Sequence, residues 1–150
     1  METEEASVPV SAGGLGGLGG LGAVPFVGLA GVLPLLAGGV KSLVVQALLA
    51  YGATILSFLG GVHWGLAIKI PPADGLKARL VLSVLPSLVA WVALLVGGAH
   101  GLMLLALAIA ATLWVDLRAT RLGQAPSWYP KLRLPLSAIF FSALVFGARA

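Results

Sequence analysis

Cysteine is absent from this chain, acidic residues number only five and histidines only two. Without cysteine there are no disulfides, thiol nucleophiles, iron–sulfur clusters or thiolate metal sites. Structural zinc takes four ligands of Cys, His or carboxylate type, and this sequence cannot assemble them. His63 and His100 fall at opposite membrane surfaces in the topology derived below, which argues against a shared haem. No metal or other cofactor is expected. Charged residues make up 9% of the 150 residues, where a soluble domain carries about 25%. The net charge of +4 sits at helix ends, where it sets topology and meets lipid headgroups rather than nucleic acid.

What is abundant is apolar sequence. Hydrophobic residues reach 59% and mean hydropathy is +1.07. The apolar runs predict an all-α membrane helix bundle of five transmembrane helices, at about 24–40, 43–68, 80–96, 102–117 and 134–148. Residues 1–22 read as a flexible leader. Its first dozen residues carry Glu2, Glu4 and Glu5 and lack the positive start of a signal peptide. The GGLGGLGGLG run that follows is a poor helix former, and it lacks the Lys and Ser/Thr that would close a phosphate loop. Pro34 is expected to kink or break the first span. Pro71-Pro72 and Asp74-Gly75 mark a turn, and Gly97-Gly98 a short hairpin.

Cation placement orients the bundle. Lys69, Lys77, Arg79, Arg118, Arg121, Lys131 and Arg133 fall on one side, and Lys41 and Arg149 on the other. The N-terminus is therefore expected on the cytoplasmic side, or the matrix side in a mitochondrion, with the C-terminus outside.

The second span differs from the rest. It concentrates small and polar side chains in YGATILSFLGGVHWG, residues 51–65. Ala53, Ser57, Gly61 and Gly65 recur every four residues, a spacing that lets helix backbones approach closely in lipid. Gln46, Ser57 and Trp64 fall within roughly 20° of one another on a helix, flanked by Gly60 and Gly61. Together these residues predict a helix-packing seam with a polar lining.

These residues carry a resemblance. Tyr51-Gly52-Ala53, Ile55 through Gly61 and His63-Trp64-Gly65 resemble the signature of the domain of unknown function 3429 family. Leu29 through Pro34, Leu85-Pro86-Ser87 with Trp91, Asp116, Ser127-Trp128-Tyr129 and Leu132-Arg133 add to it, over about residues 24–148. The resemblance implies a multi-span inner-membrane protein of bacteria or mitochondria, and it implies no activity.

On the cation-rich side the topology gathers His63, Trp64, Asp116, Trp128, Tyr129 and Arg133. A polar cluster is expected there, with Asp116 paired to Arg133 or Arg118; an ionisable residue at membrane depth marks function, with a partner to be named. The competing account makes these residues interfacial anchors. No Asp or Glu is expected deep within a span, which speaks against ion-coupled transport. Ser57 and His63 lie on different faces of one helix with no acid nearby, so no hydrolase triad forms, and the sequence points away from an enzyme. Two functions stay open, with an enzyme acting on a membrane-soluble substrate through His63, Asp116, Tyr129 and Arg133 as a third, weaker one. One is a structural or accessory protein packing against lipids, other membrane proteins or copies of itself. The other is a small transporter, channel or lipid/quinone-binding protein with a polar site near the cytoplasmic face.

Overall fold

Prolines and glycines cut the apolar sequence into helices. A computed structural model describes residues 12–69, 76–125 and 128–150. The acidic head of the leader, the turn at residues 71–75 and Ser127 lie outside the described residues. Five α-helices follow in order: α1 Ala12–Val32, α2 Gly38–Lys69, α3 Leu76–Val96, α4 Gly98–Arg121 and α5 Tyr129–Arg149. No strand occurs among the described residues. Helices α2 to α5 are each long and apolar enough to cross a membrane, and Gly20–Leu35 is a shorter apolar stretch. Together with the outward-facing apolar side chains of α3, such as Leu88, Trp91 and Leu95, this is a bundle whose outer solvent is hydrocarbon.

Several boundaries move from their expected places. Helix α1 reaches back through the Gly-rich run to Ala12, so residue 22 is not a helix boundary. Pro34 ends the first helix rather than sitting mid-span. Lacking an N–H, it cannot continue the ladder to Ala30, and the chain passes through a 3-10 turn, Leu33–Leu35, to an extended Leu36. Gly38, at a φ of 60°, starts α2, which places Val40 and Lys41 in α2 and not in the first span. The α3–α4 connection is a single residue, Gly97. It and Gly98 both take positive φ, 68° and 51°, a conformation open to glycine at little cost. Helix α4 continues past Leu117 to Arg121, and α5 starts at Tyr129, with a proline in its first turn, rather than at Leu134.

Helix α2 borders all four other helices. Its buried face, however, is not the expected four-residue stripe. Ala53 is buried and Ser57 half-buried, but Gly61 and Gly65 are exposed, as is Gln46. The reason is rotational. Steps of four residues advance about 40° beyond a full turn, so twelve residues swing the stripe through about 120°. Steps of seven drift only about 20°. Ala53, Gly60 and Ala67 follow that spacing and all are buried. So do Leu49 and Leu56, and the next step along that row is His63. At Gly60 the backbones of α2 and α3 meet: a Cβ there would run into the Ser83 carbonyl oxygen and lie 3.5 Å from Pro86 Cβ.

At the end holding Lys41 and Arg149, Lys41 Nζ donates to the Ala150 carbonyl oxygen. The apolar core runs from there towards mid-bundle. Phe26 lies between Tyr51 and Phe140, with ring centroids 5.3 and 4.9 Å away. Tyr51 Oη donates to the Gly22 carbonyl at 2.8 Å, tying α1 to α2. Leu33, Leu48, Leu102 and Leu144 are fully buried around this axis.

Candidate functional site

At the opposite end two polar rows face each other. On α4, Thr112, Asp116 and Thr120 recur every four residues; on α5, Tyr129, Arg133 and Ser137 do the same. That spacing stacks side chains on one helix face. The α4 extension past residue 117 puts Asp116 about 7.5 Å short of the helix end. Asp116 is therefore a buried acid (1% exposed) inside α4 rather than at its end.

Asp116 is held from two other helices. Arg133 Nε of α5 donates to its Oδ2 at 2.6 Å, and His63 Nε2 of α2 lies 2.6 Å from its Oδ1. Tyr129 Oη donates to the same Oδ1 at 3.4 Å. The rest of the guanidinium is also engaged: Nη1 donates to Ser137 Oγ at 3.1 Å and Nη2 to Thr112 Oγ1 at 3.3 Å. Thr112 in turn donates to the Ile109 carbonyl at 2.9 Å. No buried side-chain nitrogen or oxygen among the described residues lacks a partner. A buried ion pair is tolerated on that condition, because a half-satisfied network leaves a desolvated charge uncompensated.

The partner of Asp116 is thus Arg133 and not Arg118. Arg118 instead sits over the Trp114 ring, 5.5 Å from its centroid. Of the six residues expected in the cluster, His63, Asp116, Tyr129 and Arg133 meet. Trp64 faces outward. Trp128 stands edge-on to Tyr129, with centroids 6.1 Å apart, and is itself largely exposed. Thr112 and Ser137 were missed, although the four-residue recurrence on each helix is visible in the sequence.

Beside this network lies a cleft of about 360 Å³, between α3 and α4 and floored by α2. Its wall is apolar, including Leu82, Leu85, Val89, Ala108 and Ala111, with His63 and Thr112 set into it. Arg79, Arg118 and Gln124 stand towards the His63 end. From Ala108 to Leu122 the α4 wall runs about 21 Å, more than the roughly 15 Å of one leaflet's hydrocarbon. The volume falls in the range of small-molecule sites. The Gln46–Ser57–Trp64 line forms no part of it.

Comparison with known proteins bears on identity and not on activity. The family model described as "Protein of unknown function (DUF3429)" matches residues 16–148. Transmembrane protein 69 of Xenopus tropicalis is 41% identical over 133 residues, covering 80% of this chain and 51% of the frog protein. Transmembrane protein 69 of Mus musculus is 26% identical over 129 residues, covering 80% of this chain and 53% of the mouse protein. The chain spans about half the length of these curated relatives. No solved structure matches it.

Proposed function

Starting from a chain that belongs to the DUF3429 family and is an integral membrane protein, we propose that it binds an acidic amphiphile drawn from the bilayer. The observation that supports this is the cleft beside His63: a long apolar trough whose polar end is lined by Arg79 and Arg118. No acid lines it among the described residues. An apolar tail loses nothing on moving from lipid into such a trough, so the head must supply the selectivity. Two guanidiniums favour an anionic head over a neutral quinone. The buried Asp116–Arg133 pair holds the wall in place and leaves no net charge of its own to repel the ligand.

Purification in mild detergent followed by mass spectrometry of co-purifying lipids tests this. The expected result is enrichment of anionic lipid over its share of the membrane, lost in the Arg79→Gln/Arg118→Gln double variant. Recovery of neutral lipids alone, or of the same lipids from the double variant, overturns it.

A second reading is an accessory role, with membrane proteins or further copies of the chain as partners. The exposed Gly61 and Gly65 face supports it, since no atom lies within 4 Å of a Cβ built at either glycine. The bundle is further proposed to reside in a bacterial or mitochondrial inner membrane with the His63 end facing cytoplasm or matrix. A reporter cysteine at Gln124 is then labelled only after the membrane is permeabilised.

A further inference from the structure

We infer that the cleft selects an anionic lipid whose headgroup also carries a hydroxyl, and that His63 Nδ1 is the acceptor for that hydroxyl. This rests on the acidic-amphiphile reading above and names its ligand class.

The inference follows from where the protons must sit. Arg133 is always charged, so Asp116 beside it is the carboxylate, and both its oxygens accept. His63 Nε2, 2.6 Å from Oδ1, must then carry a hydrogen. A second hydrogen on Nδ1 would make the ring a cation. Asp116 is already balanced by Arg133, and Arg79 and Arg118 line the same cleft. In the neutral ring, whose one hydrogen Asp116 holds on Nε2, Nδ1 keeps its lone pair. No residue among those described donates to Nδ1. Yet every buried side-chain nitrogen and oxygen among them has a partner, so Nδ1 is not sealed in. His63 is 14% exposed at its side chain and lines the cleft, which is where that exposure leads.

Beside the two guanidiniums, the polar end presents the acceptor Nδ1 and Gln124, whose amide both donates and accepts. The guanidiniums of Arg79 and Arg118 can only donate, and they suit a phosphate. Nδ1 can only accept. A headgroup that satisfies both sets carries an ionised phosphate and an alcohol together, as a glycerol-headed phosphodiester does. The Asp116–His63 bond fixes the tautomer, as a carboxylate commonly does for a functional imidazole.

The test uses the full chain in nanodiscs or detergent, titrated with phosphatidylglycerol, phosphatidylethanol and phosphatidylcholine. The first two share one charge and one phosphodiester and differ in the headgroup hydroxyls. Phosphatidylglycerol is expected to bind about three- to tenfold more tightly than phosphatidylethanol, the value of one hydrogen bond, with both above phosphatidylcholine. In His63→Phe that preference is expected to vanish while phosphatidylethanol binding stays. Equal binding of the two anionic lipids to the wild-type protein overturns the inference and leaves the acidic-amphiphile reading standing. Binding of neither above phosphatidylcholine overturns that reading itself. A preference that survives His63→Phe places the acceptor elsewhere and also overturns the inference. Should His63→Phe fail to fold, the wild-type lipid pair still decides. So does nitrogen-15 spectroscopy of labelled histidine, assigned with His100→Gln at the exposed far end of α4. Hydrogen on Nε2 with Nδ1 bare supports the inference; hydrogen on Nδ1 overturns it.

Discussion

The two ends of the bundle solve one packing problem by opposite means. At the Lys41 end, helices close through glycine: a Cβ at Gly101 would run into the Ala93 carbonyl oxygen, and one at Gly147 would lie 2.6 Å from Leu48 Cδ2. Apart from the Lys41–Ala150 and Tyr51–Gly22 hydrogen bonds, close packing holds the register there. At the His63 end, α2, α4 and α5 are joined by one carboxylate with distances of 2.6 Å on both oxygens. That end also holds the cleft. Directional bonds fix helix positions without requiring every neighbouring volume to be filled, so an opening can exist beside them. Where fit does most of the holding, a void among the packed side chains forfeits contacts outright.

The contrast can be broken first at its strongest point. Asp116→Ala leaves Arg133 buried and unpaired, and is expected to cost about 3–5 kcal/mol, read as loss of monodisperse protein on heating in detergent. Asp116→Asn, which keeps a carbonyl acceptor, should lie between that variant and the wild type. A wild-type melting profile for both would show that the ionic end does not hold the helices.

Steric closure comes next. Gly60→Val and Gly101→Val should each cost about 1–3 kcal/mol through overpacking, since both meet a neighbouring backbone carbonyl. Gly61→Val and Gly65→Val meet open space and should leave the monomer's melting unchanged. Equal losses at all four positions would restore the four-residue stripe as the packing seam. The smallest effect is expected at Tyr129→Phe, whose hydroxyl makes a long bond of 3.4 Å to a carboxylate that is otherwise satisfied. A loss below about 1 kcal/mol should be measured, and a larger one would make Tyr129 an equal member of the network.

Much of this was legible before any coordinates. Apolar runs long enough to cross a bilayer identified the helices, and the cation bias brought His63, Asp116, Tyr129 and Arg133 to one surface. Helix boundaries were less legible because hydropathy marks where lipid ends, not where the helix does. Arg118, Thr120 and Arg121 left the hydropathic window of α4 but not its hydrogen-bond ladder, and so Asp116 read as terminal. The second span misled for a different reason. A four-residue recurrence of small residues draws the eye, but over twelve residues it rotates off any straight interface, and the seven-residue row that holds Leu49, Leu56 and His63 does not. The cleft could not be foreseen at all, since it depends on which helices are neighbours and how far apart α3 and α4 stand.

The Asp116–Arg133 pair also constrains how the chain is made. As α4 leaves the ribosome it carries a carboxylate with no counter-ion, and α5, with its guanidinium, is still being synthesised. Either charge alone opposes entry into hydrocarbon, by about 2.5–3.5 kcal/mol at a span's centre and by less near its end. Released together as a hairpin, the two helices neutralise each other before they meet the acyl chains. Integration of α4 should therefore wait for α5, and a chain truncated between them should stall at the insertion machinery.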